Sequence, residues 1–307
     1  MLKQLTKDSY QVFMPDGTCM NVINELQSAT RACEFLEIGG VIYFPTSPFQ
    51  RSEEDTRFLL SQHQQDASYH KNIAYRPAQD RVTGVKHMNA VDSERLRRIM
   101  ADYSQQAEAL VDNMLAPYAG HYKKDFASYR PIEEKGRKMR LRARNDLLHV
   151  DNFPTRPVKG DRILRVFENI NPDRVRVWNT GDTFETLAEQ YRGERKAPQD
   201  LDKPIKTLIP PFLQKALGMK ASSGSGYDNW MYNFHNFLKE SEDFQRNCRK
   251  NTWQFSPGST WIVYTDMVSH AVLSGQYALE QTFIVDYKHQ VLPEKAPINI
   301  LRRIYGM

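Results

Sequence analysis

A histidine and an aspartate stand one residue apart at His149-Val150-Asp151, inside Leu147-Leu148-His149-Val150-Asp151-Asn152-Phe153-Pro154. On one side of a tight bend both side chains can reach a single metal ion. One more distant histidine would complete the 2-His-1-carboxylate triad, which holds Fe(II) by one face and leaves positions open for reactants. The pair alone is also what a capped loop contains, so the argument turns on the third ligand. Eight histidines are available. His63, His70, His87 and His121 precede the pair in helical or loop context, His235 lies on a helix among aromatics, and His289 follows the last strand. His270 has the fitting surroundings, because the stretch from Phe255 to Val272 reads as a turn, a strand, a loop and then the histidine, with another strand behind it. His149, Asp151 and His270 are therefore the candidate metal ligands and catalytic centre, against the alternative of three unrelated structural residues.

The pattern of apolar residues says what positions them. Residues 22 to 37 have a spacing near 3.6 and read as an amphipathic helix, ended by Gly39-Gly40 before a short buried strand at Val41-Ile42-Tyr43-Phe44. Residues 52 to 66 read as a second helix, and His70 to Arg81 as irregular. Asp92 to Leu115 forms a long helix with one apolar stripe, suited to lying against a sheet. From Lys138 the period changes to two, so Arg140, Arg142 and Arg144 fall on one face of an expected strand. Arg162 to Ile170 is a second strand. Residues 183 to 217 read as mostly helical with proline breaks, 221 to 226 as a mobile loop, and about 228 to 248 as a helix. Further strands are expected at Ser259 to Tyr264 and Tyr277 to Val285. Helices first and then strands around the ligands imply an α+β chain: a double-stranded β-helix (jelly-roll, cupin-like) core flanked by helices. The expected organisation is one domain over 1–307, with a mainly helical flank at 1–135 and a core at 136–290 carrying a helical insertion at about 180–250.

Composition sets the outer limits. The 307 residues suffice for a sizeable core, and the aromatic content suits packed sheets. Cys19, Cys33 and Cys248 are widely separated, which argues against a disulfide framework or a zinc knuckle and fits a reducing compartment. No apolar segment long enough for a membrane span is present, so a cytoplasmic, soluble protein is expected. The net charge of +5 is modest, but cations cluster at 137–144 and 156–176. That distribution favours an anionic ligand and gives little support to nucleic acid.

At this point a resemblance becomes specific. His149-Val150-Asp151-Asn152-Phe153-Pro154 with Gly160 to Phe167 resembles the Fe(II)/2-oxoglutarate-dependent oxygenases. Combined with Pro257 to Trp261, Thr265-Asp266-Met267-Val268-Ser269-His270-Ala271 and Leu279-Glu280-Gln281-Thr282-Phe283, it resembles one branch, the Kdo hydroxylases. These act on 3-deoxy-D-manno-oct-2-ulosonic acid in the inner core of lipopolysaccharide. The likeness spans roughly residues 136 to 286 and extends to the Tyr227 to Gln245 helix. It implies Fe(II) on His149, Asp151 and His270, with 2-oxoglutarate and O₂ as co-substrates and ascorbate as reductant in vitro. It also implies hydroxylation at the 3-position of Kdo in Kdo–lipid A, at the cytoplasmic face of a Gram-negative inner membrane.

The distal carboxylate of 2-oxoglutarate needs a cation, preferably a bidentate arginine. Many members place it about nine to eleven residues after the distal histidine, where this chain has Leu279, Glu280 and Gln281. In others it stands on the strand after His-x-Asp. Arg165 occupies that place and shares its face with Asn169, and Arg162 on the opposite face is the fallback. Arg140, Arg142 and Arg144 are the candidates for substrate carboxylates or phosphates, the alternative being pairing with nearby acids. The run from Ile298 to Tyr305 has the composition to touch an anionic membrane, a sister subunit in a homo-oligomer, or its own domain. Two rival functions stay open. One is the same chemistry on another anionic small molecule or protein side chain, and the other is a non-catalytic cupin-like metal-binding module.

Overall fold

The protein is described here from a computed structural model covering residues 2–3, 9–14, 19–20, 28–62, 73–85, 88–199 and 225–306. Two antiparallel sheets face each other. The larger is built from β1 (Gln11–Phe13), β2 (Cys19–Met20), β3 (Val41–Phe44), β4 (Ile73–Arg76), β5 (Arg81–Thr83), β6 (Tyr122–Arg130), β7 (Arg162–Asn169), β10 (Thr260–Tyr264) and β12 (Ala278–Val285), in the order β2-β1-β3-β10-β7-β12-β6-β4-β5. The smaller has β8 (Arg176–Thr183) between β11 (Val268–Ser274) and β9 (Asn251–Phe255). This is a jelly-roll core, and among the described residues seven helices flank it: α1 (Ala29–Glu37), α2 (Glu53–Ser61), α3 (Ala90–Met114), α4 (Phe184–Gln190), α5 (Gly226–Glu240), α6 (Glu242–Asn247) and α7 (Pro297–Tyr305).

Strand parity divides the interior in two. Along β7, Leu164 and Val166 join Ile262 and Tyr264 of β10 in the core between the large sheet and the helices, and α3 buries Leu96, Ile99, Met100, Tyr103, Ala107, Leu110 and Val111 there. The alternate residues point between the sheets. There Phe167, Trp178, Phe255 and Trp261 form a second cluster, with Phe255 and Trp261 stacked at 4.0 Å and 8°. Such aromatic pairs contribute about 0.5–1.5 kcal/mol beyond their buried area. They leave one end of the inter-sheet space for polar residues.

Several expectations need correction. The basic stretch at 138–144 is no strand. It is loop with one 3₁₀ turn at Leu141–Ala143, since a row of like charges along a ladder repels and the arginines turn out to water and nearby acids. The stretch from His70 to Arg81 contains β4, a 3₁₀ turn and part of β5. β8, β9 and the body of β11 went unread because polar residues such as Asn179, Thr180 and Asp182 hide their alternation. The first 135 residues carry α1–α3 but also six of the nine strands of the large sheet. The helix expected at 228–248 breaks at Ser241, which ends α5 and caps α6 by accepting from Phe244 N. Between 183 and 217, α4 is short and turns follow it. The remainder from 200, the stretch 221–224 and the expected start of α1 at 22–27 lie outside the described residues. The C-terminal run is α7, whose Ile300 and Leu301 are buried. Arg303 bonds Glu185 and Glu189 of α4 at 2.7 and 3.0 Å, so this run packs on its own chain. Among the described residues, no helix is long and apolar enough to cross a membrane.

Candidate metal centre

His149 and His270 face each other across a two-residue antiparallel bridge: His149 N donates to His270 O at 3.1 Å and His270 N to His149 O at 2.9 Å. Two residues on, Asp151 N donates to Thr265 O at 2.8 Å. The backbone thus brings all three side chains into the space between the sheets before any ligand is considered. Gly181 of β8 allows this approach, because a Cβ there would stand 2.7 Å from Ser269 Oγ.

The donor atoms fit a metal. A carbonyl oxygen only accepts, so His149 Nδ1 must donate to Leu147 O at 2.7 Å and His270 Nδ1 to Val268 O at 2.9 Å. Both Nε2 lone pairs are then free for a metal. His149 Nε2 lies 3.6 Å from Asp151 Oδ1, and His270 Nε2 lies 3.9 Å from Asp151 Oδ2. One ligand atom from each of the three residues falls within 4.8 Å of the others. Asp151 Oδ2 is buried without a hydrogen-bond partner, an arrangement a cation would complete. Burial holds both imidazoles neutral by pulling their pKa below the ordinary value, well below for His149. Burial alone would raise Asp151, but Arg165 and the two histidines outweigh it and hold the carboxylate well below its usual range. Two neutral imidazoles and one carboxylate are the donor set for Fe(II).

A cavity of about 240 Å³ opens on these ligands, lined among others by Arg130, Arg165, Arg176, Trp178, His235 and Lys239. Trp178 stacks on His270 at 5.3 Å and 21°. His235 meets His149 edge-on at 4.9 Å while its Nδ1 donates to Val150 O at 2.7 Å. Arg165 Nη2 stands 3.3 Å from Asp151 Oδ2 and its Nη1 3.5 Å from Glu280 Oε1, with Nε left without a partner. Glu280 also holds Arg130 at 2.7 Å, and the two arginines outweigh burial to keep it ionised. Arg176 is weakly compensated: burial pulls it down to about 10, its nearest carboxylate oxygen, on Glu134, is 3.9 Å away, its Nη1 donates to Gly275 O at 3.1 Å, and its Nε has no partner. Burial also lowers Lys239 to about 8, and Lys239 Nζ donates to Arg142 O at 3.1 Å.

Arg165 therefore lies in the cavity, whereas Arg162 points the other way. Arg162 Nε donates to Asp266 Oδ2 at 3.0 Å and its Nη1 to Gln290 Oε1 at 2.7 Å, beneath the Tyr264 ring. Asn169 uses its amide to hold the carbonyls of Arg174, Phe255 and Ser256, closing a turn. Of the three arginines in the basic stretch only Arg142 lines the cavity, and it pairs with Glu240. Arg144 pairs with Asp146 at 2.6 Å and Arg140 is exposed. Sequence reasoning missed Arg130, Arg176 and Lys239. The spacing of His235 and Lys239, one helical turn apart, is the signal that pointed to a shared face.

The profile of the 3-deoxy-D-manno-oct-2-ulosonic acid (Kdo) hydroxylases matches residues 21–307. Among solved structures, the apo form of the Kdo hydroxylase KdoO, a non-haem Fe(II) α-ketoglutarate-dependent dioxygenase, is similar at 33% identity and a TM-score of 0.78, covering 91% of this chain and 90% of that one. The structure of KdoO with α-ketoglutarate and Fe(III) gives the same figures, as does its complex with cobalt(II). No curated protein matches.

Proposed function

The chain belongs to the Kdo hydroxylase family, and from that membership we infer that the cavity is the active site of an Fe(II)- and 2-oxoglutarate-dependent dioxygenase that hydroxylates Kdo. The observation that carries the reading is the closure of His149, Asp151 and His270 into one buried, cation-lined cavity. When bound, iron and 2-oxoglutarate supply the oxidising power: O₂ puts one oxygen into a substrate C–H bond and the other into succinate, with loss of CO₂.

His149, Asp151 and His270 hold the iron, and the two backbone carbonyls on Nδ1 keep the imidazoles in the ligating tautomer. Arg165 takes the distal carboxylate of 2-oxoglutarate; its unpartnered Nε and its place beside Asp151 support this. A second reading gives that carboxylate to Arg176, favoured by its weakly compensated buried charge. Arg162 and Asn169 support the fold from outside the cavity. Trp178 and Phe167 wall the reacting centre off from water. The hydroxyl goes to the 3-position of Kdo, a carbon that carries hydrogen and no oxygen. The substrate is Kdo–lipid A, met at the cytoplasmic face of the inner membrane, and Arg142 with Lys239 faces its sugar carboxylate. An excess of cations over carboxylates around the cavity supports an acidic substrate in addition to the anionic co-substrate.

Mass spectrometry of Kdo–lipid A after incubation with Fe(II), ascorbate and 2-oxoglutarate tests this. One added oxygen is expected, requiring 2-oxoglutarate and abolished in His149→Ala. An unchanged lipid with continued succinate formation would leave the catalyst and overturn the substrate.

A further inference from the structure

The segment Lys135-Gly136-Arg137-Lys138-Met139-Arg140-Leu141-Arg142-Ala143-Arg144 holds six cations and no acid. Three of them have acidic partners, in Arg137–Glu134, Arg142–Glu240 and Arg144–Asp146. Lys135, Lys138 and Arg140 are exposed and form no ion pair among the described residues. Among them sits Leu141, 47% exposed; Val91 is the other exposed large hydrophobic side chain among the described residues. A leucine held in water at the start of a 3₁₀ turn, next to the unpaired Arg140 in a segment that also carries the unpaired Lys135 and Lys138, has the chemistry of an interfacial anchor. The turn is also part of the active-site wall, since Arg142 and Ala143 line the metal cavity.

We propose that this basic turn docks the enzyme on an anionic phospholipid bilayer, with Leu141 entering the headgroup region and the cavity mouth held at the membrane surface. The inference deepens the functional reading, resting on it for the purpose of docking but not for the docking itself. Charge and shape together favour a bilayer. A polynucleotide would run into the adjoining groove of about 870 Å³, which shares Arg142 but is edged by Glu194, Glu240, Glu242 and Asp243, and the segment offers no aromatic ring for base stacking. A planar membrane need meet only the exposed turn, which itself carries no acid. A small free anion would have no use for the exposed leucine.

Co-sedimentation of the full chain with phosphatidylglycerol–phosphatidylcholine vesicles tests the surface, with pure phosphatidylcholine vesicles alongside. Binding to the anionic vesicles alone, weakening with salt, is expected. The double variant Lys135→Glu/Lys138→Glu should lower partitioning by at least about 30-fold, and Leu141→Ser by about tenfold. Turnover of a lipid-free Kdo saccharide should be unchanged in both variants, while turnover of vesicle-borne Kdo–lipid A falls, which separates docking from folding. Equal binding to neutral vesicles, wild-type partitioning in the variants, or binding to duplex DNA with none to vesicles would each overturn the proposal. Vesicle binding without Kdo hydroxylation would leave the docking surface standing and sink the functional reading.

Discussion

Arg162 and Arg165 are both buried on β7, three residues apart, yet their surroundings differ in kind. Arg162 has a partner on every nitrogen: Asp266 takes its Nε and Nη2 at 3.0 and 3.4 Å, Gln290 takes its Nη1 at 2.7 Å, and the Tyr264 ring covers its face at 4.2 Å. Arg165 has carboxylate oxygens at 3.3 and 3.5 Å, longer than good hydrogen bonds, and an orphaned Nε. A buried charge whose donors are all used holds a structure together. One left partly unpaired, at a cost of about 1–3 kcal/mol per orphaned group, persists where a ligand completes it. The same contrast separates Asp266 from Asp151, whose Oδ2 has no hydrogen bond.

The comparison can be broken most severely on the cavity side. Asp151→Ala should abolish Fe(II) binding and lower Kdo hydroxylation by more than about a thousandfold. Titration with Fe(II) and single-turnover assays read this directly, and retained metal affinity would refute the triad. On the other side, Arg162→Met strands Asp266 in the core. It should cost about 3–5 kcal/mol of stability, seen as a lowered denaturant midpoint, with the 2-oxoglutarate KM of the folded fraction little changed. Arg165→Met should do the reverse, raising that KM about 30- to 100-fold, as for loss of a charge-assisted pair of about 2–3 kcal/mol, with little loss of stability. If Arg176→Met shows that KM effect and Arg165→Met does not, the carboxylate belongs to Arg176. The smallest effect concerns pH. Lys239 has its pKa lowered by burial to about 8, so its charge is present below that pH and lost above it. KM for the acidic sugar should rise about fivefold from pH 7 to 9.5, and Lys239→Met should flatten that rise.

How legible this was in the sequence depends on the span over which each signal acts. The triad could be read because His149 and Asp151 are local and His270 follows a strongly apolar strand. The two faces of β7 could be read from alternation, which placed Arg165 inward and Arg162 outward. Asn169 shares the parity of Arg165 but sits where the strand ends, and there turn geometry overrides parity. Arg130 and Arg176 could not be found, because what makes them cavity residues is the pairing of β6 with β12 and of β8 with β11. The basic stretch misled because alternation of arginine with apolar residues mimics a strand, and only the absence of a pairing partner turns it into a loop.

The bridge that joins His149 to His270 by two backbone hydrogen bonds also bears on supply. Because two backbone hydrogen bonds set the two imidazoles side by side, much of the geometry of the metal site is carried by the fold itself. Such a pocket accepts what it meets: divalent ions that rank above iron in the Irving–Williams order would compete on affinity. Activity then depends on which metal the cell keeps abundant, and mismetallation by zinc or cobalt would inactivate intact, correctly folded enzyme. Restoring it would take exchange of the ion, not synthesis of a new chain.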